Sequence, residues 1–211
     1  MILLVAIIVG LLAGLIRAWA GGRQLASPHF RLTGLVPAAF LPQLLAFYLP
    51  SPQGLWANHS VAAGLVGSQI MLLVFAWYNR RQTGFLLLGL GLALNLWVIA
   101  LNGGLMPISP DMASRLNPDI PTYAWEAGSR LGNSKDVILP IAETRFWSLS
   151  DRFFLALPAW FSYRVAFSLG DILIAAGAFW LLWAMGRQGS AARAGWVRPQ
   201  LAIGSQYNRT T

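Results

Sequence analysis

Five long apolar runs constrain this chain of 211 residues more than any other feature. A helix needs roughly 17–25 mostly apolar residues to cross the hydrocarbon core of a bilayer, and the runs approach or reach that length. Stretches carrying Arg, Pro, Gly and polar residues separate them. The sequence therefore predicts an all-α fold, a polytopic membrane helix bundle of about five transmembrane helices. The runs are 1–16, 32–49, 61–78, 84–101 and 167–185.

The composition agrees with a membrane protein and excludes several kinds of site. Hydrophobic residues make up 56% of the chain and charged residues only 10%, whereas charged residues are about a quarter of soluble domains. The absence of cysteine excludes disulfides, thiolate nucleophiles and cysteine-bound metal clusters. His29 and His59 lie outside the apolar runs, so neither is placed to bind a haem inside a helix. We expect no metal and no cofactor.

The net charge of +8 comes almost entirely from arginine, because the chain contains a single lysine. A basic balance would suggest nucleic acid in a soluble chain, but in a membrane chain it usually reports topology, so we expect lipid and no nucleic acid as partners. Basic residues follow the first and third runs and recur in the tail, while 50–60 has none. The positive-inside rule therefore predicts the N-terminus outside and the C-terminus inside.

These boundaries divide the chain into a single membrane domain, 1–185, and a basic cytoplasmic tail, 186–211. The connection 102–166 is the only one long enough to fold over the bundle, and we expect a folded external loop there. Gly10 with Gly14, and Gly64 with Ser68, form small-xxx-small pairs that allow close helix approach. Such pairs support a compact bundle or a partner helix equally well.

Asp171 is the only carboxylate inside an apolar run. An ionised group at hydrocarbon depth costs roughly 2.5–3.5 kcal/mol, so such a residue usually faces protein or water and often marks a site. The alternative is an interfacial Asp that caps backbone amides or pairs with an Arg. At a rise of about 1.5 Å per residue, Gln43, Gln69 and Asn95 fall at a similar depth, where they either cross-link helices or donate hydrogen bonds to the carboxylate.

A second carboxylate, Asp151, lies in the aromatic last third of the loop, 144–163. Aromatic rings favour the headgroup level, so we expect this segment to lie along the outer surface and to bring Asp151 and Arg152 towards the last helix. Two neighbouring carboxylates that share a proton can activate water, with Asn95 or Asn102 orienting a carbonyl. If Arg152 instead lies between the carboxylates, a salt bridge favours a structural role.

Residues 151–182 resemble lipoprotein signal peptidase. In that family one catalytic Asp lies in a short periplasmic helix, and a second follows at similar spacing in a Phe-Asn-x-Ala-Asp-Ser motif that opens the last membrane helix. Phe167 and Asp171 match that motif, whereas Ser168 and Ile172 differ from it. The resemblance implies that Asp151 and Asp171 form an outward-facing aspartyl hydrolase site.

Across its whole length the chain resembles an uncharacterised family of small bacterial integral-membrane proteins. The shared features are an apolar start, an Asn-Gly-Gly-x-Met-Pro sequence beginning at Asn102, and Phe-Ser-x-Gly-Asp-Ile-Leu-Ile-Ala beginning at Phe167. This resemblance implies a location in the bacterial inner membrane and no particular activity.

Two functional hypotheses follow from these patterns. The first is an outward-facing aspartyl hydrolase in which Asp151 and Asp171 are catalytic. The second is a non-catalytic subunit of a larger membrane complex, with Asp171 as a structural contact and the aromatic loop as a docking surface. A transporter is less favoured, because the sequence has only one intramembrane carboxylate and no repeat of broken helices.

Overall fold

The computed structural model describes residues 2–21, 29–48, 58–156 and 164–185. The tail 186–211, predicted to be cytoplasmic, lies outside these residues. The described parts are mostly helical and contain six α-helices and four short strands. The helices are α1 Ile2–Ala20, α2 Leu35–Tyr48, α3 Asn58–Tyr78, α4 Thr83–Leu101, α5 Pro110–Leu116 and α6 Leu169–Met185.

Five of these helices correspond to the five apolar runs, but they differ in length. Three are long and apolar enough to cross a membrane: Leu3–Ala20, His59–Tyr78 and Thr83–Leu101. The other two are apolar but shorter, with 14 residues in α2 and 17 in α6. Such a set of helices is compatible with a membrane protein. The crossing of a membrane by α2 and α6 stays a prediction.

Glycines let α4 and α6 pack with their backbones in contact. A Cβ atom on Gly170 would lie 2.7 Å from the carbonyl oxygen of Gly91, and one on Gly177 would lie 2.6 Å from that of Gly84. The two pairs are seven residues apart on each helix, which is two helical turns. Since the residue numbers run in opposite directions, α4 and α6 are antiparallel.

The first helix packs against the other side of α6. A Cβ atom on Gly10 would lie 2.9 Å from the Cα of Phe179, and one on Gly14 would lie 2.6 Å from the carbonyl oxygen of Leu182. This small-residue pair is therefore used inside the chain, as the compact-bundle alternative predicts. The most extensive helix contacts join α4 with α6, α1 with α6, α2 with α3, and α3 with α4. The last helix thus lies between the first and the fourth.

The described parts of the long loop, 102–156 and 164–168, form a small fold on one end of the bundle. Strand β1, Met106–Ile108, pairs in parallel with β2, Asp136–Ile138. Strand β3, Phe153–Ala156, pairs antiparallel with β4, Arg164–Phe167. The predicted folded loop is present, but its aromatic third contributes a strand, so the all-α prediction holds only for the bundle. Phe167 ends β4, and α6 begins two residues later than the apolar run suggested.

A shared hydrophobic core seats the loop on the helices. Val61 and Leu65 of α3 and Val98 of α4 pack with Met106 and Val137 of the two parallel strands. Gly104 permits this close approach, because its φ is +88° and a Cβ atom there would lie 2.6 Å from the Cβ of Ala62. The loop therefore lies at the end of the bundle where α3 begins and α4 ends.

Candidate functional site

Asp171 closes a reciprocal hydrogen-bonded cap at the start of α6. The backbone N–H of Asp171 donates to Ser168 Oγ at 3.0 Å, and the backbone N–H of Ser168 donates to Asp171 Oδ2 at 3.2 Å. This is the capping box of a Ser followed three residues later by an acid, which satisfies amides that a helix start leaves without partners. The alternative that Asp171 caps backbone amides is thus present in the geometry.

Asn95 of α4 completes this cap from the neighbouring helix. Its Nδ2 donates to Asp171 Oδ1 at 2.8 Å, and its Oδ1 accepts from Ser168 Oγ at 2.8 Å. Asn95 and Ser168 are buried, and a side chain on Gly170 would collide with Asn95. The glycine contacts between α4 and α6 therefore hold the amide where the carboxylate needs a donor.

A lysine joins Asp171 to Asp151. Lys135 Nζ lies 3.0 Å from Asp151 Oδ2 and 3.7 Å from Asp171 Oδ2. The two acids that the sequence paired are therefore neighbours around one cation. We call Lys135, Asp151 and Asp171, with the adjacent Asp136, the lysine cluster.

The parallel strands β1 and β2 place this lysine. Lys135 precedes β2, and its carbonyl oxygen accepts a hydrogen bond of 3.0 Å from the N–H of Met106. Asp151 is anchored to the same ribbon, because its N–H donates to the carbonyl oxygen of Pro107 at 3.4 Å. The paired strands β1 and β2 thus bring together parts of the loop that are 45 residues apart, from Met106 to Asp151.

Burial and an excess of carboxylates set the electrostatics of the lysine cluster. The side chain of Asp151 is only 1% exposed, and its Oδ1 has no hydrogen-bond partner among the described residues. Burial raises the pKa of Asp151 to about 7, despite the opposing effect of Lys135. Burial alone would lower the pKa of Lys135, but the surrounding carboxylates, Asp151 first, outweigh it and raise that pKa. The cluster can therefore hold a proton on Asp151 near neutral pH.

The remaining predicted site residues lie outside this cluster. Gln43 donates to Ser68 Oγ and so cross-links α2 to α3. Asn102 ties the end of α4 to the loop, with its Oδ1 accepting from the N–H of Arg145 at 2.9 Å. Gln69 Oε1 is buried and finds no hydrogen-bond partner in the described residues. The amides predicted to lie at one depth, Gln43, Gln69 and Asn95, therefore do not form one cluster. Among them, only Asn95 reaches Asp171.

Arg152 does not occupy the position between the carboxylates. Its guanidinium lies over two aromatic rings, 4.6 Å from the centre of Trp147 and 5.2 Å from that of Phe153. The cation between the acids is Lys135, which was not among the predicted site residues. A signal was available, because Lys135 is the single lysine in a chain that otherwise uses arginine.

A cleft of about 530 Å³ opens beside the lysine cluster. Its lining comes from three parts of the loop: α5 with its cap Ser109, the residues Ile141, Thr144 and Trp147, and residues 150–152. Asp151 is at its edge, and Arg115 and Arg152 contribute two guanidinium groups. The described residues include no group of three or more His, Asp or Glu side chains arranged to hold a metal ion.

The fold is a helix bundle with three helices long and apolar enough to cross a membrane, which is compatible with a membrane protein. The chain belongs to a family of unknown function, DUF5317, whose model matches residues 28–183. This confirms the resemblance to an uncharacterised family. No curated protein and no solved structure gives a significant match to the chain. The similarity to lipoprotein signal peptidase stays a prediction.

Proposed function

We propose that this protein is a five-span membrane protein of the bacterial inner membrane that serves as a non-catalytic subunit of a larger membrane complex. Its N-terminus lies outside and its C-terminus inside. The observation that carries the non-catalytic assignment is the ammonium of Lys135, which contacts the carboxylates of both Asp151 and Asp171.

An ammonium in that position opposes an aspartyl hydrolase mechanism. Such an enzyme needs two carboxylates that share one proton and face a common water. Here Lys135 engages Oδ2 of both acids, and Asp171 also accepts hydrogen bonds from Asn95 and the backbone of Ser168. These contacts favour a structural role for the two acids, in which they hold the loop on α6, over a role in activating water.

The packing of α6 supports five spans. With 17 residues, α6 is at the lower limit for crossing a bilayer. It is packed between α1 and α4, which are both long enough to cross. Its glycine contacts with α4 extend from Gly170 to Gly177, so the two helices share their depth. A helix held in this way crosses with its neighbours.

Helix directions and arginine positions support the orientation. Gly10 and Gly14 meet Phe179 and Leu182 in ascending order, so α1 and α6 are parallel, as the first and fifth spans must be. Arg17 lies over the ring of Trp183 at 4.3 Å at the end of the bundle away from the loop. Arginine is enriched on the cytoplasmic side of a membrane, and tryptophan is enriched at both membrane interfaces.

Exposed aromatic side chains on the loop support a partner. Tyr123 is 91% exposed, and Phe146 and Trp147 are also exposed. Tyrosine and tryptophan are enriched in protein interfaces because they combine large apolar area with a polar group. Phe146 also contacts Trp97 of α4, so this surface continues from the loop onto the bundle.

Purification from native membranes tests the subunit proposal. We expect the tagged chain in a mild detergent to elute as a particle larger than its own 23.0 kDa plus detergent, with a second polypeptide in fixed ratio. Tyr123→Ala should reduce that ratio, and Thr83→Ala, at the opposite end of α4, should leave it unchanged. A chain that purifies alone at full yield from the same membranes would contradict the proposal.

The hydrolase stays a second candidate because of one observation. The pKa of Asp151 is raised to about 7, a value suited to acid–base catalysis at neutral pH, and a cleft adjoins this residue. Purified protein with a lipidated prolipoprotein peptide provides the test. Cleavage that Asp151→Asn and Asp171→Asn abolish without loss of folded protein would favour the enzyme, and absence of cleavage by the wild type would reject it.

A further inference from the structure

The two guanidinium groups in the cleft contact aromatic rings. Arg115 lies 5.7 Å from the ring centre of Phe154, and Arg152 lies over Trp147 and Phe153. Both residues are exposed. Stacking on a ring leaves the hydrogen-bond donors of a guanidinium free, while it restricts the motion of the planar group. The cleft thus presents two guanidinium groups of restricted motion, and each can donate two parallel hydrogen bonds.

The carboxylates at the cleft leave part of this positive charge uncompensated. Asp151 is paired with Lys135 and is only 1% exposed. Asp111 lies one turn before Arg115 on α5 and offsets one of the two guanidinium charges, so one net positive charge remains. The chemistry that suits two free guanidinium groups is a phosphate or a carboxylate, which accepts bidentate hydrogen bonds from arginine.

Apolar side chains form a second part of the lining, beside the hydroxyl groups of Ser109, Thr144 and Ser150. Met112 forms part of the wall, and Ile141 and Trp147 line the cleft with large exposed surfaces. A volume of about 530 Å³ falls within the range of roughly 300–1,000 Å³ that small-molecule sites occupy. A ligand that fills this space has an anionic head for the arginines and an apolar part for these side chains.

We propose that the cleft binds a phosphate-bearing amphiphile, with the phosphate on Arg115 and Arg152 and the apolar part on Ile141 and Trp147. The adjoining Phe146 packs on Trp97 near the end of α4, which brings the cleft close to the headgroup level of a bilayer. A lipid headgroup is therefore the source of phosphate that its place in the fold favours. This site requires neither the subunit nor the hydrolase function.

Three probes separate the parts of this ligand. Dihexanoyl phosphatidic acid carries both a phosphate and acyl chains, dihexanoylglycerol carries the chains alone, and inorganic phosphate carries the anion alone. Titration calorimetry on the full chain in an uncharged detergent should give saturable binding of the first probe at one molecule per chain. The other two should bind at least about tenfold more weakly, because each lacks one set of contacts.

Arginine variants locate the site. Arg115→Gln and Arg152→Gln should each raise the apparent Kd for dihexanoyl phosphatidic acid at least about tenfold, since each removes a charged hydrogen-bond donor. Arg145→Gln is the matched control, because Arg145 is an exposed loop arginine outside the cleft lining. Circular dichroism confirms that each variant is folded.

Four results would overturn the proposal. They are an absence of saturable binding to the wild type, equal weakening by Arg145→Gln, equal affinity for dihexanoylglycerol, and equal affinity for inorganic phosphate. The last would show a site for a free anion, in which the apolar wall has no role.

Discussion

Lys135 neutralises only part of the negative charge around it. Asp136, Asp151 and Asp171 all act on its charge, and two of them, Asp151 and Asp171, lie within salt-bridge distance. A buried carboxylate without a full counter-charge takes up a proton more readily, since desolvation disfavours its ionised form. The pKa values of Asp151 and Lys135 are therefore coupled, and a substitution of either residue alters the protonation of the other.

Removing the lysine should destabilise the protein in a pH-dependent way. In Lys135→Met, the ionised Asp151 is left buried without its cation, and we expect the free energy of unfolding at pH 9 to fall by about 3 kcal/mol. At pH 5 the loss should be smaller, because Asp151 then holds a proton. Denaturant titration in detergent at both pH values measures this.

Two further variants control that experiment. Asp151→Asn in the Lys135→Met background should restore more than half of the loss at pH 9, because it removes the uncompensated charge. Arg145→Met deletes another loop cation and should change stability little, as expected for an exposed charge. Equal stability of Lys135→Met and the wild type at pH 9 would show that the ion pair contributes nothing.

Asp151 should also make wild-type stability fall as the pH rises. Its pKa is raised from an ordinary value of 3.8 to about 7 in the folded protein. Between these values the folded chain holds a proton that the unfolded chain has released, so the contribution to stability is complete below pH 4 and is lost as the pH passes 7. Asp151→Asn should remove this trend. The infrared carbonyl band of a protonated carboxylic acid should disappear with a midpoint near pH 7 in the wild type only.

At the scale of the elements, the contact between α4 and α6 decides whether the lysine cluster forms. Gly91 and Gly170 bring the two backbones together, and this brings Asn95 to Asp171. Ser168 belongs to the same contact, since it caps α6 and also donates to Asn95. The position of the Asp171 carboxylate therefore depends on how α4 packs against α6. A change in the spacing of these two helices would move the carboxylate.

A methyl group at the crossing point should separate these helices. Gly170→Ala places a Cβ against Asn95 and 2.7 Å from the Gly91 carbonyl, and overpacking of this kind costs about 1–3 kcal/mol. Gly67→Ala is the matched control, since nothing lies within 4 Å of a Cβ there. It should be neutral or stabilise by up to about 1 kcal/mol. Unfolding free energies compare the two variants, and equal values would contradict close packing at Gly170.

The helices were predictable from the sequence, whereas the pairing of β1 with β2, which positions Lys135 in the lysine cluster, was not. Long apolar runs predicted α3 and α4 to within a few residues, because burial in lipid requires continuous apolar sequence. Strands β1 and β2 have three residues each and are buried throughout, so they show no alternating pattern to read. The position of Lys135 depends on this pairing, and a lone polar residue in a loop gives no periodic signal. Asp171 was predicted because it is the only carboxylate in an apolar run, and Asp151 because it lies in the aromatic segment before the last helix. The cation that joins them was not predicted.

For the whole molecule, the orientation can be tested with introduced cysteines, because the chain has none of its own. Tyr123→Cys, in the exposed part of the long loop, should react with a membrane-impermeant maleimide added to intact cells. Thr83→Cys, at the opposite end of α4, should react only after the membrane is permeabilised. The reverse pattern of labelling would reject the proposed orientation and place the lysine cluster on the cytoplasmic side.

The central position of α6 has a consequence for how the chain is made. The first helix leaves the ribosome long before its main partner, since about 150 residues separate α1 from α6, and at roughly 5–20 residues per second the delay is on the order of 10 s. Through this interval Gly10 and Gly14 lack the contacts that they make with α6 in the finished fold, and Asn95 lacks the partners that α6 supplies. A nascent chain therefore reaches its native packing only after its last helix is inserted. Messages truncated before α6 should yield polypeptides that membrane proteases remove.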